Sequence, residues 1–131
     1  MIKLTNVTKI YKTGVRALNN MNLTIEPGEF VYVIGSTGAG KSTFIKLLYR
    51  EEKATTGKVE VVGQDVSKIK NSKVPYFRRN IGVVFQNFRL LPKKTVFENV
   101  AFALEVIDTP RVEIRRRVRA TLELVGLEDK V

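Results

Sequence analysis

Polar and apolar residues alternate near the start of the chain, which is the pattern of strands with one buried face. An alternating run over residues 2–6 predicts an edge strand, and a second run over 18–25 predicts another strand before the turn sequence Glu26-Pro27-Gly28-Glu29. Residues 30–34 are instead continuously apolar, rich in β-branched and aromatic side chains, and end at a glycine. This run predicts a strand buried on both faces, as in a parallel sheet.

A helical pattern begins soon after that strand. Within residues 43–52, Phe44, Leu47 and Leu48 have the spacing of an amphipathic helix. Three further elements are predicted after it: a strand over 57–63, a short helix over 74–80 and a strand over 81–85. Strands that alternate with helices in this way indicate an α/β fold.

Two more helices are predicted in the last third of the chain. Thr95 and Glu98 have the spacing of a capping box, in which each side chain accepts a hydrogen bond from the other residue's backbone, so a helix should run from there to about Val106. Pro110 opens the next helix, since the first helical position needs no N–H donor, and Gly126 is placed to cap its end. The apolar residues of this helix form one stripe: Ile114, Val118, Leu122 and Val125.

Composition restricts the chemistry open to the chain. Its 131 residues, 44% of them hydrophobic, suffice for one globular domain or part of one. Cysteine and histidine are both absent, which excludes disulfides, cysteine metal sites and histidine general bases. The N-terminus has no secretory pattern and no run of roughly 18 apolar residues occurs. The sequence therefore predicts neither a secreted nor a membrane-spanning chain.

The formal net charge of +10 favours a polyanionic partner, such as a nucleotide, a nucleic acid or an anionic membrane surface. A solvated basic face is the alternative, and charge alone does not decide between them. Arginines cluster at 115–117 and at 119, but no aromatic-interleaved basic motif accompanies them. No nucleic acid partner is therefore expected.

A glycine-rich stretch carries the most specific chemistry. Gly35-Ser36-Thr37-Gly38-Ala39-Gly40-Lys41-Ser42 matches the phosphate-binding pattern G-x-x-x-x-G-K-(S/T), between a predicted strand and a predicted helix. In this P-loop (residues 35–42), backbone N–H groups and the helix dipole would converge on phosphate oxygens. Lys41 would contact the β and γ phosphates, Ser42 would offer its hydroxyl to Mg²⁺, and Thr43 would lie near the α-phosphate.

Residues around the P-loop resemble the ATP-binding-cassette ATPases. The motifs that carry the resemblance are Leu4-x-x-Val7-x-Lys9-x-Tyr11, Glu26-Pro27-Gly28-Glu29 and Gly82-x-Val84-Phe85-Gln86. Residues 74–92 and 95–101 are most similar to the FtsE family of bacterial cell-division ATP-binding proteins. The lipoprotein-release and macrolide-export ATPases are the alternative.

This resemblance implies an α/β P-loop NTPase fold in three parts. An antiparallel β subdomain would occupy about 1–30 and 57–66, and a partial parallel-sheet core with the P-loop would occupy about 30–56 and 67–86. The start of a helical subdomain would occupy about 87–131.

The resemblance also implies roles for residues outside the P-loop. Tyr11 matches the aromatic residue that stacks on adenine, and Gln86 matches the glutamine that reaches Mg²⁺ and the attacking water. Lys41 and Gln86 would thus be the catalytic residues of this chain. A tyrosine packed at a strand end and a surface loop glutamine are the structural alternatives.

The family's contact with its transmembrane subunit falls at residues 87–99 of this sequence. Phe88, Leu90 and Leu91 are apolar residues in a predicted loop. They would form either an exposed docking patch or part of a packed core, and the sequence leaves both open.

As a whole, the resemblance implies a peripheral ATPase on the cytoplasmic face of the membrane, working as a full-length homodimer with an FtsX-like integral membrane partner. The family's Leu-Ser-Gly-Gly signature, acidic strand end, glutamate beside the attacking water and switch histidine do not occur in residues 1–131. We therefore expect the 131-residue chain alone to be inactive as an ATPase. A nucleotide-sensing module without turnover is the alternative of another class.

Overall fold

The computed structural model describes residues 1–130, without the side chain of Lys130. Two compact units make up the chain, one from Met1 to Gly82 and one that begins at Val83. Among the described residues, no helix is both long and apolar enough to cross a bilayer.

The first unit is built on a four-stranded antiparallel sheet. Its strands are β1 (Ile2–Ile10), β2 (Arg16–Ile25), β3 (Thr56–Val61) and β4 (Gln64–Asp65), in the order β2-β1-β3-β4. The predicted strands at 2–6, 18–25 and 57–63 are therefore confirmed. The first of them is not an edge strand, however, because β2 and β3 both pair with β1.

An irregularity in β1 sets which residues enter the core. Leu4 and Val7 are both fully buried although they are three positions apart. A register shift lies between them, and Asn6 has a positive φ of 50°. This bulge turns both side chains to the same face of the sheet.

One helix, α1 (Lys41–Leu48), covers that face. Phe44 and Leu47 of α1 are buried in one cluster with Leu4, Val7 and Val59 of the sheet. The helix begins two residues before the predicted 43–52 and ends four residues before its predicted end. It stops there because Arg50 takes a left-handed conformation, with φ at 63°.

Short helices complete the first unit. Single 3-10 turns span Val66–Lys68 and Asn71–Lys73, and α2 spans Val74–Arg78. The helix α2 confirms the short helix predicted over 74–80, and its Phe77 is buried in the core cluster of the sheet.

Two predicted strands, 30–34 and 81–85, are wrong for this structure, which leaves both segments without regular secondary structure. The side chains of Phe30, Tyr32 and Ile34 are 82%, 79% and 91% exposed. A strand exists only where another strand hydrogen-bonds to it, and within residues 1–130 none pairs with either segment. The antiparallel sheet is thus present, while the predicted parallel strands are not formed.

The second unit is a pair of helices, α3 (Val96–Glu105) and α4 (Arg111–Leu124), followed by a 3-10 turn at Glu128–Lys130. Both predicted helices are therefore confirmed. The helices bury one small core between them, formed by Ala101, Ile114, Val118 and Leu122.

The end of α4 corrects one predicted core residue. Gly126 has a φ of 69° and donates its N–H to the Glu123 carbonyl, while the Leu127 N–H reaches the Leu122 carbonyl. These two bonds form a Schellman motif, which ends the helix. Val125 therefore lies past the last helical turn and is 58% exposed, so the buried stripe ends at Leu122.

Candidate functional site

The P-loop curls back between residues 35 and 40 and then enters α1. Gly38 and Gly40 have φ values of 82° and 88°, which side-chain-bearing residues rarely adopt. The Ala39 N–H donates to the Ser36 carbonyl at 3.1 Å and closes the turn. A Cβ at Gly40 would lie 2.3 Å from the Ala17 carbonyl oxygen, so the loop is pressed against β2 at this point.

The first turn of α1 presents unpaired donors. Gly40 is its N-cap and no side chain caps it. The first helical hydrogen bond runs from the Phe44 N–H to the Gly40 carbonyl. The N–H groups of residues 41–43 therefore have no acceptor within the helix and lie at the positive end of its dipole. Such a terminus is suited to bind an anion.

Lys41 adds a full positive charge to the loop. Its Nζ donates to the Gly35 carbonyl at 2.5 Å and to the Ser36 carbonyl at 2.7 Å. The ammonium group is thereby held over the start of the loop, at acceptors that a phosphate oxygen can replace. Ser42, next in sequence, is exposed at the same helix end.

Tyr11 is brought to this site from the turn between β1 and β2. Its hydroxyl lies 3.0 Å from Oγ1 of Thr43, although the two residues are 32 positions apart. Thr43 is 7% exposed and its hydroxyl is engaged with Tyr11. The α-phosphate contact predicted for Thr43 would therefore fall to its backbone N–H.

Lys9 adjoins this tyrosine and is paired with Glu52, and neither of these charged residues was assigned a role from the sequence. The Lys9 ammonium lies 4.9 Å from the centroid of the Tyr11 ring and 2.7 Å from Oε2 of Glu52. Lys9 falls in a resemblance motif two positions before Tyr11, the strand spacing that puts side chains on one face. Only that spacing could have indicated the contact.

Gln86 lies in the second unit, where it is exposed and begins a turn over residues 86–89. Its contact with Mg²⁺ stays a prediction. Within residues 1–130, no three acidic, histidine or cysteine side chains group as a metal site. A phosphate-bound Mg²⁺ needs only hydroxyl, phosphate and water oxygens from such a loop, and the exposed Ser42 hydroxyl fits that requirement.

The segment 87–99 exposes two of its three apolar loop residues. Phe88 and Leu90 are 74% and 69% exposed, and the backbone of Phe88 and Arg89 is left-handed, with φ at 55° and 49°. Leu91 is half-buried. Of the two alternatives left open by the sequence, Phe88 and Leu90 therefore match the exposed patch.

Asn99, a residue that the sequence did not single out, holds this segment in place. Its Oδ1 accepts from the Leu91 N–H at 2.8 Å, and its Nδ2 donates to the carbonyls of Leu91, Lys94 and Thr95 at 3.2, 3.1 and 2.9 Å. Asparagine has a low helix propensity because its side chain competes for backbone groups. The signal available from the sequence was therefore an asparagine in the first turns of a predicted helix, where this residue type is disfavoured.

The family of the chain follows from comparison with known proteins. The family model for ABC transporters matches residues 18–131, so the chain belongs to the ABC transporter family. The chain is 57% identical over 130 residues to the cell division ATP-binding protein FtsE of Bacillus subtilis, covering 99% of the chain and 57% of that protein. FtsE of Streptococcus pneumoniae is 51% identical over 131 residues, again with 57% of its length covered.

A relative of another kind is slightly more distant. The methionine import ATP-binding protein MetN 1 of Salmonella typhimurium is 48% identical over 133 residues, which cover 99% of the chain and 39% of that protein. The resemblance to FtsE is therefore confirmed. The chain spans 57% of the length of the FtsE relatives it matches.

Solved structures confirm the predicted fold class. The dimeric ATP-binding cassette MJ0796 matches with a TM-score of 0.84 and 38% identity, over 96% of this chain and 57% of that one. The structure of cbiO1 from Clostridium perfringens matches with the same TM-score and 27% identity, over 98% of this chain and 51% of that one. The chain therefore has the fold of an ABC ATPase cassette.

Proposed function

We propose that the chain binds Mg-ATP through its P-loop and that the full-length protein hydrolyses ATP. The observation that carries this proposal is the P-loop itself. The Lys41 ammonium is bound to the carbonyls at the start of the loop, and the N–H groups of residues 41–43, at the N-terminus of α1, have no acceptor within the helix. A polyphosphate is the ligand that best matches one ammonium group and a helix N-terminus together.

Each residue of the site would have a distinct task. Lys41 would exchange its two carbonyl partners for phosphate oxygens, a stronger, charge-assisted bond. Tyr11 would offer a ring face to the adenine, and the Ser42 hydroxyl would hold Mg²⁺. For Gln86, the role at Mg²⁺ that the family resemblance implies stays a prediction. When bound, Mg²⁺ would neutralise charge on the phosphate oxygens.

We further propose that the full-length protein is a homodimer at the cytoplasmic face of the membrane, where its ATP cycle acts on an FtsX-like partner to regulate cell-wall hydrolysis during division. The identities of 57% and 51% to two FtsE proteins support this over methionine import, at 48%. The exposed Phe88 and Leu90 in segment 87–99 support a docking role for that segment.

The test of nucleotide binding is a calorimetric titration of Mg-ATP into the chain and into Lys41→Ala. Removal of the ammonium group should weaken binding at least about tenfold, because a charged partner of the phosphates is lost. Lys46→Ala is the matched control, since Lys46 lies on the same helix but pairs at 3.8 Å with Glu51. It should change the affinity by less than about twofold.

Far-UV circular dichroism would establish that each variant is folded. Equal affinities of the chain and of Lys41→Ala would contradict the proposal, as would a folded chain that binds no ATP. Phosphate release, measured on the same samples, tests the expectation that the 131-residue chain does not turn ATP over.

A further inference from the structure

Tyr11 is held at two points of its side chain. Its hydroxyl meets Oγ1 of Thr43 at 3.0 Å, and the Lys9 ammonium lies 4.9 Å from the centroid of its ring. Thr43 is a buried residue of α1. The orientation of the ring is therefore set from both ends, by the first turn of α1 and by β1.

Lys9 is itself firmly held, which is unusual for a long, flexible side chain. Its Nζ donates to Oε2 of Glu52 at 2.7 Å and to the Lys53 carbonyl at 2.9 Å. Its side chain is only 12% exposed. The rotamer entropy of the lysine is thus lost in the fold itself and not when a ligand binds.

The position of this ammonium group matters for stacking. A cation over an aromatic ring is attracted to the electron-rich face. Since Lys9 occupies that position over Tyr11, a base can stack only on the opposite face. Lys9 thereby determines which face of the Tyr11 ring is available to a base.

We propose that Lys9 and Thr43 are positioning residues for Tyr11, and that Glu52 supports Lys9 in this task. The linked side chains Glu52, Lys9, Tyr11 and Thr43 join the base contact to the first turn of α1, where the phosphates are bound. Base and phosphate are then recognised by one rigid unit. This inference rests on the proposed function, because it assigns the positioning of the base within the same site.

The inference separates base binding from phosphate binding, which gives it a specific test. Calorimetry would compare Mg-ATP with Mg-triphosphate, the inorganic ligand without a base, on the chain and its variants. Lys9→Met keeps the apolar stem and removes the charge, so the Tyr11 ring would have to be ordered when ATP binds. ATP binding should weaken about fivefold, within the range of the cost of ordering one side chain. It should leave triphosphate binding unchanged.

Further variants make the test independent of any one substitution. Lys9→Arg retains a cation and should restore most of the preference for ATP over triphosphate. Tyr11→Phe removes only the bond to Thr43 and should weaken ATP binding about threefold. Lys3→Met, at an exposed lysine of the same strand, is the control and should match the unaltered chain.

Tyr11→Ala should abolish the preference for ATP over triphosphate. If that preference exists but survives in full in Lys9→Met and Tyr11→Phe, the inference is overturned while the proposed function stands. If Lys9→Met weakens the binding of ATP and of triphosphate equally, Lys9 has a merely structural role, and the inference is also overturned. Triphosphate binding that does not depend on Lys41 would instead contradict the proposed function. Should Lys9→Met fail to fold, Glu52→Gln and Tyr11→Phe give the same comparison.

Discussion

Gly38 and Gly40 of the P-loop share a left-handed backbone but differ in their surroundings. A Cβ at Gly38 would have no atom within 4 Å, whereas a Cβ at Gly40 would meet the Ala17 carbonyl oxygen at 2.3 Å and the Leu18 side chain at 3.0 Å. At Gly38 the requirement for glycine is conformational only. At Gly40 it is also steric, because the loop closes against β2.

This difference predicts unequal effects of alanine at the two positions. Gly38→Ala should lower the free energy of unfolding by about 1 kcal/mol, the cost of a Cβ in the left-handed region. Gly40→Ala should cost about 1 to 3 kcal/mol more, because a backbone oxygen has to move. Urea unfolding followed by circular dichroism measures both, and equal midpoints for the two variants would show that the close contact with Ala17 is wrong.

At the scale of an element, the start of α3 shows how local chemistry fixes a helix boundary. The Thr95 side chain accepts from the Glu98 N–H, and the Glu98 carboxylate accepts from the Thr95 N–H at 2.8 Å. This backbone hydrogen bond, together with the Lys94 ammonium, holds the pKa of Glu98 below its ordinary value of 4.5. The charged carboxylate is therefore part of the cap.

The lowered pKa predicts the direction of a pH effect on stability. Since the pKa of Glu98 is lower in the folded chain, its charge contributes stability that is present above about pH 4.5 and lost as the pH falls through the folded pKa. Glu98→Gln keeps the capping geometry without the charge. The variant should be less stable at pH 7, and its unfolding midpoint in urea should converge with that of the unaltered chain at acidic pH, below the folded pKa of Glu98. A stability difference that stays constant between these pH values would refute the assignment.

Asn99 extends this local order into the preceding loop. Its four side-chain hydrogen bonds tie the backbone of Leu91, Lys94 and Thr95 to α3. A loop fixed in this way loses little conformational freedom on binding a partner. The exposed Phe88 and Leu90 lie just before it, on the same segment 87–99.

At the scale of the whole molecule, that segment is where the proposed membrane partner would dock. In the full-length protein, the double variant Phe88→Ala and Leu90→Ala should reduce co-purification with the FtsX-like partner at least about tenfold, because exposed apolar side chains are typical anchors of an interface. Leu124→Ala is the control, since Leu124 is 86% exposed but lies on α4. Mg-ATP binding should be the same in all three proteins. Docking at this segment would be contradicted if co-purification is lost only in Leu124→Ala, or if neither variant reduces it.

The features that could be predicted from the sequence depend on residues close together along the chain. The capping box of α3, the stripe of Ile114, Val118 and Leu122, and the P-loop each lie within a few turns of backbone. Spacing alone encodes such features, because helical and loop geometry place neighbouring residues in known directions. The family of the chain was likewise predictable from short motifs.

Long-range pairing was decided only by the tertiary structure. Periodicity shows which residues could be buried, but a strand also needs a partner strand. Within the described part of the chain, residues 30–34 and 81–85 have no such partner and form no strand, whereas β1 pairs on both sides and lies inside its sheet. The contact between Tyr11 and Thr43 spans 32 positions and that between Lys9 and Glu52 spans 43. No local rule brings such pairs together. By itself the sequence determined the glycines and the lysine of the P-loop, whereas the packing of sheet against helix decided which side chains surround that loop.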